Sequence, residues 1–504
     1  MFRGFLSTWA GLIINGVVSF LLVRVLVHGL GDFYYGLWIL ASYFLDFYGL
    51  LDMGMRYSLQ RFVARYGGTN QRQALNETFM TGLSMTVLTG AIVIAVCAVL
   101  VWFLPGFFHV SGNSRTVFQI VLVIQSLTLA LNLPARIMGA YLCGLHRFDL
   151  YNSAAALQGV LRGIVFWMVI RMGGRIVAVA MAYLVITAFI LVVVIFFVCH
   201  ADPELSIGWK YTSFARTKEL AQFSAFVFVN DIGDRLRFST DAIVISHFLS
   251  VALSTPFNVI SKLMETFKMV FFPITGPLNT EANLLDGQKK FEAVKALFLR
   301  STKVCALLAF AGATVLFLYG RDILRFWMGE AFTSYFNVLV VLTIGYCVIL
   351  MQSPSPVFLY VRSRQKTLAA WTLAEGLVNL GLSIYWARQY GILGVALGTT
   401  VPMLVVRLGI QPFYTLRLLG VSWGEYLVKS FVRPAVVTAA AIALASVAGL
   451  IRHPASKLGF AGILVALGLM FFVLSYWIVF DGRERERLRH HGARLVQRFR
   501  VQHA

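Results

Sequence analysis

The sequence predicts an all-α, polytopic membrane protein of about fourteen transmembrane helices, in two six-helix lobes related by a parallel repeat, with two further helices at the C-terminal end. Three observations predict it. The 504 residues are 59% hydrophobic and only 13% charged, whereas soluble domains carry about 25% charged residues. Apolar runs long enough to cross hydrocarbon, about 20 residues each, recur along the whole chain. The pattern of runs and polar segments repeats after the sixth run.

The runs fall at 5–28, 35–54, 77–104, 116–143, 151–170, 176–199, 222–248, 254–277, 304–319, 335–361, 368–387, 393–416, 434–451 and 458–480. The first is about twice as long as a signal-peptide core and lacks a small-residue cleavage site, so it reads as an uncleaved span. The ninth is short. The remaining segments are too brief to hold a separate folded domain; the longest polar ones are 200–220, 281–303 and the tail from 481. With the N-terminus on the cytoplasmic side, 27 of the 43 Lys and Arg lie in cytoplasmic segments, 8 on the opposite side and 8 within spans. That asymmetry predicts that both termini are cytoplasmic. It also accounts for the net charge of +21 without a nucleic-acid partner. The tail carries Leu488, Leu495, Val496 and Phe499 among seven arginines. It reads as a basic amphipathic helix on the anionic leaflet or as a solvated tail.

The repeat is visible at a shift of 218. Residues 144–182 against 362–400 give seven identities in 39 pairs, among them Gly163/Gly381 and Gly173/Gly391. Upstream the shift is 219, matching His28/His247, Leu30/Leu249 and Gly68/Gly287. A long polar segment follows the second run of each copy, at 56–76 and 281–303. Six spans separate the copies, an even number, so both share one orientation. The expected organisation is a first lobe over 1–200, a cytoplasmic linker at 201–221, a second lobe over 222–417, two spans in 418–480 and a basic tail at 481–504.

The functional candidates are the charges inside these runs, each costing about 2.5–3.5 kcal/mol on insertion scales unless it faces water or a partner. In the seventh run Asn230, Asp234, Arg237 and Asp241 are spaced 4, 3 and 4, on one helical face, flanked by Asp231 and Arg235. In the eighth, Lys262, Glu265 and Lys268 are spaced 3 and 3. Two such stripes on adjacent spans face each other across a hydrated path, or else pair off to fix packing. Arg24 and Arg407 are close enough to span ends to snorkel. Arg162 is near mid-span, and Arg136 follows the helix-kinking Pro134. Arginine grips phosphate oxygens bidentately, so this set suits an anionic substrate. Asp46 and Glu375 are the better candidates for a coupling acid carrying H+ or Na+, with Asp231, Asp234, Asp241 and Glu265 as coupling or ion-pair acids. No phosphate loop, metal-ligand pair or nucleophile elbow appears, so no cofactor, metal site or enzyme activity is expected.

Three short segments resemble the polysaccharide transporter family. The run from Arg24 through Gly36, Arg24-Val-Leu-Val-His-Gly-Leu-Gly-Asp-Phe-Tyr-Tyr-Gly36, is similar to its first-loop signature. Leu50-Leu-Asp-Met-Gly-Met-Arg56, with Arg61-Phe-Val-Ala-Arg-Tyr66, resembles its span-two exit and amphipathic linker. Asp241-Ala-Ile-Val-Ile-Ser-His-Phe-Leu249 resembles its span-seven exit. The family belongs to the multidrug/oligosaccharidyl-lipid/polysaccharide exporter superfamily. The resemblance implies a two-lobed helical bundle that works by alternating access, flips polyprenyl-diphosphate-linked oligosaccharide, and has a cationic lumen with Arg24, Arg235, Arg237 and Lys262 as candidates. Lipid, the lipid-linked glycan, a polysaccharide polymerase and glycosyltransferases are the partners it implies. The many acids beside these cations depart from a purely cationic lumen. Within the superfamily the alternatives are a cation-coupled drug exporter and a flippase for the peptidoglycan lipid precursor. Outside it, a membrane glycosyltransferase or polymerase would need a large outer loop, and the longest here is about sixteen residues, 319–334. A passive scaffold would leave the buried charges as packing pairs only.

Overall fold

The structure, a computed structural model, describes residues 2–48, 55–69, 71–269, 271–451, 456–479 and 482. The expected tail helix over 483–504 lies outside the described residues. Hydrocarbon offers no hydrogen bonds, so a spanning backbone must satisfy its own, which a single segment does only as a helix. The described chain is helical accordingly, with no strand among the described residues. In order the helices are α1 (Phe2–Tyr48), α2 (Met55–Gly68), α3 (Arg72–Phe107), α4 (Asn113–Gly144), α5 (Phe148–Arg171), α6 (Ile176–Ala201), α7 (Phe214–Phe238), α8 (Thr240–Phe248) and α9 (Ser254–Met269). They continue as α10 (Phe272–Gly287), α11 (Phe291–Met328), α12 (Phe336–Met351), α13 (Pro354–Val361), α14 (Gln365–Leu404), α15 (Gln411–Leu419), α16 (Trp423–Leu427), α17 (Arg433–Val447) and α18 (Lys457–Ile478). π-helical turns at 405–410 and 428–432 join α14 to α15 and α16 to α17.

Among the described residues ten segments are long and apolar enough to cross a membrane, and the chain is a multi-pass membrane protein. α1 is two helices meeting at a kink at Gly31, matching the run 5–28 and the described part of 35–54, and α14 is likewise kinked at Gly391, between the runs 368–387 and 393–416. The expected run 222–248 is divided at Ser239 between α7 and α8, and in the expected run 254–277 α9 and α10 lie on either side of Val270, which is outside the described residues. α7 carries too many charges to qualify, and α8, α9 and α10 are only 9, 16 and 16 residues long. The polar segments expected after the second and eighth runs are themselves helical. α2 buries Ser58, Leu59, Phe62, Val63 and Tyr66, the three-to-four spacing of an amphipathic helix. The repeat reappears in the helix ends: α2 stops at Gly68 and α10 at Gly287, α3 starts at Arg72 and α11 at Phe291. The paired Gly173 and Gly391 both adopt positive φ, +78° and +59°, where an L side chain costs about 1–2 kcal/mol.

Contacts divide the chain into two compact units, Met1–Thr266 with Lys366–Thr399, and Phe267–Gln365 with Thr400–Ala504. These units describe packing, whereas the repeat describes sequence equivalence, and their boundaries differ. In the first unit α1 packs on α5, α3 on α4 and α4 on α6, around a core that includes Leu37, Leu40, Phe108, Phe118 and Val121. The second unit has one core of Cys305, Ala306 and Ala309 with Cys347, Val348 and Met351, and another that joins Phe298, Phe358 and Tyr426. Arg407, a snorkelling candidate by sequence, is buried there, and its Nη1 donates to Gln411 Oε1 at 2.5 Å.

A buried ion pair ties α14, which belongs to the first unit from Lys366 to Thr399, to α7. Arg237 Nη1 on α7 donates to Glu375 Oε1 on α14 at 3.0 Å, and Nη2 donates to Asp234 Oδ1 at 2.5 Å. The Glu375 side chain is 0% exposed and that of Arg237 7%. The helices can approach this closely because Gly233 and Gly376 face one another. A Cβ on Gly376 would lie 3.0 Å from Gly233 O, and one on Gly233 would lie 2.9 Å from Thr372 Cγ2. Small residues at such crossings are the usual means of tight packing in membranes. Asn379 Nδ2 adds a hydrogen bond to Arg237 O at 3.1 Å.

Glu375→Ala is expected to lower stability by about 1–3 kcal/mol, because it leaves Nη1 of a buried guanidinium without its acceptor while Asp234 remains as counter-charge. The melting temperature of the purified protein in detergent measures this. The double variant Arg237→Met/Glu375→Leu should recover most of the loss, since an apolar pair of similar volume replaces the ion pair. An unchanged melting temperature in the single variant would mean that the pair does not hold α7 to α14.

Candidate functional site

Within the first unit, α1, α4, α5, α6 and α9 enclose a cavity of about 570 Å³. Its charged lining is Arg136 from α4, Arg162 from α5, and Lys262 and Glu265 from α9. Pro134 lies within α4 two residues before Arg136, and proline there removes a helix hydrogen bond and kinks the helix. The position of α9 against α1 is set by neutral polar groups. Tyr35 donates from its hydroxyl to Asn258 Oδ1 at 3.0 Å, and Asn258 Nδ2 donates to Tyr43 Oη at 2.9 Å. Thr255 Oγ1 donates to Asp32 O at 2.6 Å. One turn beyond Asn258, the same helix brings Ser261, Lys262 and Glu265 to the cavity.

The cations there fall into two kinds. Lys262 Nζ is 2.8 Å from Glu265 Oε2 and is thereby neutralised. Arg136 and Arg162 have no carboxylate within salt-bridge distance among the described residues, and Arg162 Nε is buried without an acceptor. Gln125, 2% exposed and also on the wall, has its Nε2 buried without an acceptor. Unspent donors and uncompensated positive charge inside a membrane segment suit a ligand rich in acceptors and negative charge. Trp38, Phe166 and Tyr183 make up an aromatic wall, with ring centroids 5.9–6.3 Å apart.

The other sequence candidates are placed elsewhere. Arg24 is exposed on α1, and Asp231 and Arg235 are half-buried on α7; none of the three is among the described lining residues. Arg237, Asp234 and Glu375 form the buried ion pair on α7 and α14. Lys268 is exposed and belongs to the second unit. Asp46 lies in α1, but its side chain is outside the described residues. On α7 Arg237 thus turns to α14, and on α9 Lys262 pairs with Glu265 in the same helix while both line the cavity.

Asp241 is 3% exposed and meets hydroxyls rather than a cation. Thr399 Oγ1 donates to its Oδ2 at 2.7 Å, and its Oδ1 is buried without a hydrogen-bond partner among the described residues. Ser383 Oγ also lies 3.1 Å from Asn379 Oδ1 and 3.4 Å from Val395 O. Thr399 Oγ1 also lies 3.2 Å from Val395 O, so the oxygens of Asp241, Thr399, Val395, Ser383 and Asn379 form a hydrogen-bonded cluster in series. Among the described residues no group of three or more His, Cys, Asp or Glu side chains gathers. Sequence reading named Asp241 but missed Asn379, Ser383 and Thr399. Their only signal is the four-residue spacing of Asn379 with Ser383 and of Val395 with Thr399, which neutral polar residues in apolar helices often share. It missed Gln125, Asn132 and Asn258 for the same reason.

No family model matches the chain. It is 22% identical over 404 residues to the protein named "Putative O-antigen transporter" of Shigella flexneri, an alignment spanning 77% of this chain and 92% of that relative. Among solved structures, the lipid II flippase MurJ in an inward closed conformation covers 94% of this chain and 98% of its own, with TM-score 0.71 and 14% identity. A multidrug resistance MATE family transporter of the MOP superfamily, inward-facing, covers 81% of this chain and 98% of its own, with TM-score 0.70 and 10% identity. The chain has the fold of the multidrug/oligosaccharidyl-lipid/polysaccharide exporter superfamily, and its resemblance to polysaccharide transporters is joined by a relative named for O-antigen transport.

Proposed function

We propose that this chain is a flippase that moves a polyprenyl-diphosphate-linked oligosaccharide across the bacterial inner membrane by alternating access, for surface polysaccharide synthesis. The observation that carries this reading is the pair Arg136 and Arg162, both without a carboxylate partner on the wall of a 570 Å³ cavity. A diphosphate brings the charge and the acceptor oxygens that these guanidiniums and Gln125 lack. The glycan and diphosphate need a hydrated chamber, while the lipid tail stays in the bilayer. A drug exporter holding cationic compounds would gain nothing from two unpaired arginines. The peptidoglycan lipid precursor carries a diphosphate too, and the likeness to the lipid II flippase fold keeps that glycan as a second reading of the same site. Both termini lie in the cytoplasm in this reading, and a polymerase and glycosyltransferases act on either side of the transport step.

Direction comes from coupling to a monovalent cation, a proton or sodium, at Asp241. Its oxygen cluster abuts Arg237 through Asn379, so occupancy there bears on the α7–α14 junction.

In proteoliposomes containing a fluorescent polyprenyl-diphosphate sugar, the wild type is expected to move the lipid between leaflets. Arg136→Ala and Arg162→Ala should each weaken binding of a polyprenyl diphosphate about tenfold to a hundredfold, the worth of a charge-assisted hydrogen bond. Wild-type affinity in both variants would remove the arginines from the site. Asp241→Asn should retain binding and lose the dependence of transport rate on an imposed proton or sodium gradient. Gradient dependence equal to wild type would exclude Asp241 as the coupling site.

A further inference from the structure

A second, smaller cavity of about 100 Å³ lies between α4, α5 and α6 in the same unit, and it shares Asn132 and Arg136 with the larger one. Arg136 is therefore a common wall, and a group gripping it in the larger chamber sits at the edge of the smaller. The lining of the smaller cavity divides into two halves. One is neutral and polar, with Asn132, Tyr151, Gln158 and Thr187; the other is aliphatic, with Leu142, Ile190 and Val194 among its members. No carboxylate lines it.

Thr187 marks this cavity as a binding site. A threonine inside an apolar helix ordinarily returns its hydroxyl to the carbonyl four residues back, as Thr86, Thr89 and Thr128 do here. Thr187 is 1% exposed, lines the cavity, and its Oγ1 has no partner among the described residues. A buried hydroxyl left unsatisfied is destabilising, and a ligand that engages it recovers that loss. The volume corresponds to about three water molecules at their liquid share of about 30 Å³ each. That is too little for a sugar ring and enough for one substituent of a ring.

We propose that this cavity is a second recognition subsite that takes an acetamido substituent on the sugar bonded directly to the diphosphate. An acetamido group matches both halves of the lining. Its N–H and C=O answer Thr187, Gln158 and Asn132, and its methyl group lies against Leu142, Ile190 and Val194. Only the sugar next to the phosphates is within reach when they are held at Arg136. The assignment rests on the reading of the larger cavity as the diphosphate site, and it makes the flippase selective at the first sugar.

The test uses the full-length protein in nanodiscs and three short-chain polyprenyl diphosphates: one without sugar, one carrying an N-acetylhexosamine, and one carrying the corresponding hexose. The wild type is expected to bind the N-acetylhexosamine form about tenfold more tightly than the hexose form, as for one buried hydrogen-bonding group gained. Thr187→Val, which keeps shape and removes the hydroxyl, should reduce that ratio to near one. Ala154→Leu, which fills the cavity from a lining residue that is 3% exposed, should do the same. Both variants should bind the sugar-free diphosphate as the wild type does, which also reports that they are folded. A wild-type ratio near one with sugar-free binding intact overturns the subsite and leaves the diphosphate reading standing. An undiminished ratio in both variants also overturns it. If the wild type binds no sugar-free polyprenyl diphosphate, the diphosphate reading fails, and the subsite fails with it.

Discussion

The buried pair between Arg237 and Glu375 is the interaction on which the first unit depends. In a segment surrounded by hydrocarbon and protein, a charge without a partner is costly, and removing one member of a buried pair costs far more than replacing both. The pair therefore dictates which helices meet, joining residues 138 apart in sequence. Gly233 and Gly376 allow the two backbones to approach closely enough for the bond to form. The register so set carries the next turn of each helix with it. Asp241 follows Arg237 by four residues and Asn379 follows Glu375 by four, and both enter the oxygen cluster that Thr399 and Ser383 complete.

Against this background the charges separate by what they meet. Arg237, Asp234 and Glu375 satisfy one another, and Lys262 and Glu265 do the same within one helix. Arg136 and Arg162 do not, and they line a chamber whose other donors, such as Gln125, also lack acceptors. In the proposed reading these two arginines meet the diphosphate of the substrate. The transport reading follows from that division rather than from the number of cations in the spans, which acids nearly balance.

Much of the fold was legible. Spanning helices are written in composition and run length, because the bilayer imposes one length and one hydrogen-bonding solution. The repeat was legible in short identities and then in matching helix ends at Gly68 and Gly287. The division of the seventh run at Ser239 was not, since a local turn can interrupt a stretch whose mean hydropathy suffices for a span. Of the site, Arg136, Arg162 and Lys262 could be named from sequence as charges too deep to be idle. Asn258, Gln125 and Thr187 could not, because a neutral polar residue in an apolar helix costs little and usually satisfies itself on its own backbone.

The sequence by itself determined that the chain is a multi-pass helical membrane protein built on a repeat, and that its intramembrane charges need partners or water. These are local and additive properties: hydrophobic length, spacing on one helix, and the energetic penalty on each ion. Only the tertiary structure decided which charge meets which. Arg237 found Glu375 on a distant helix, and Arg136 and Arg162 have no carboxylate within salt-bridge distance among the described residues. Pairing depends on distances of about 3 Å between side chains far apart in the chain, and helical periodicity carries no information about which helix will stand opposite.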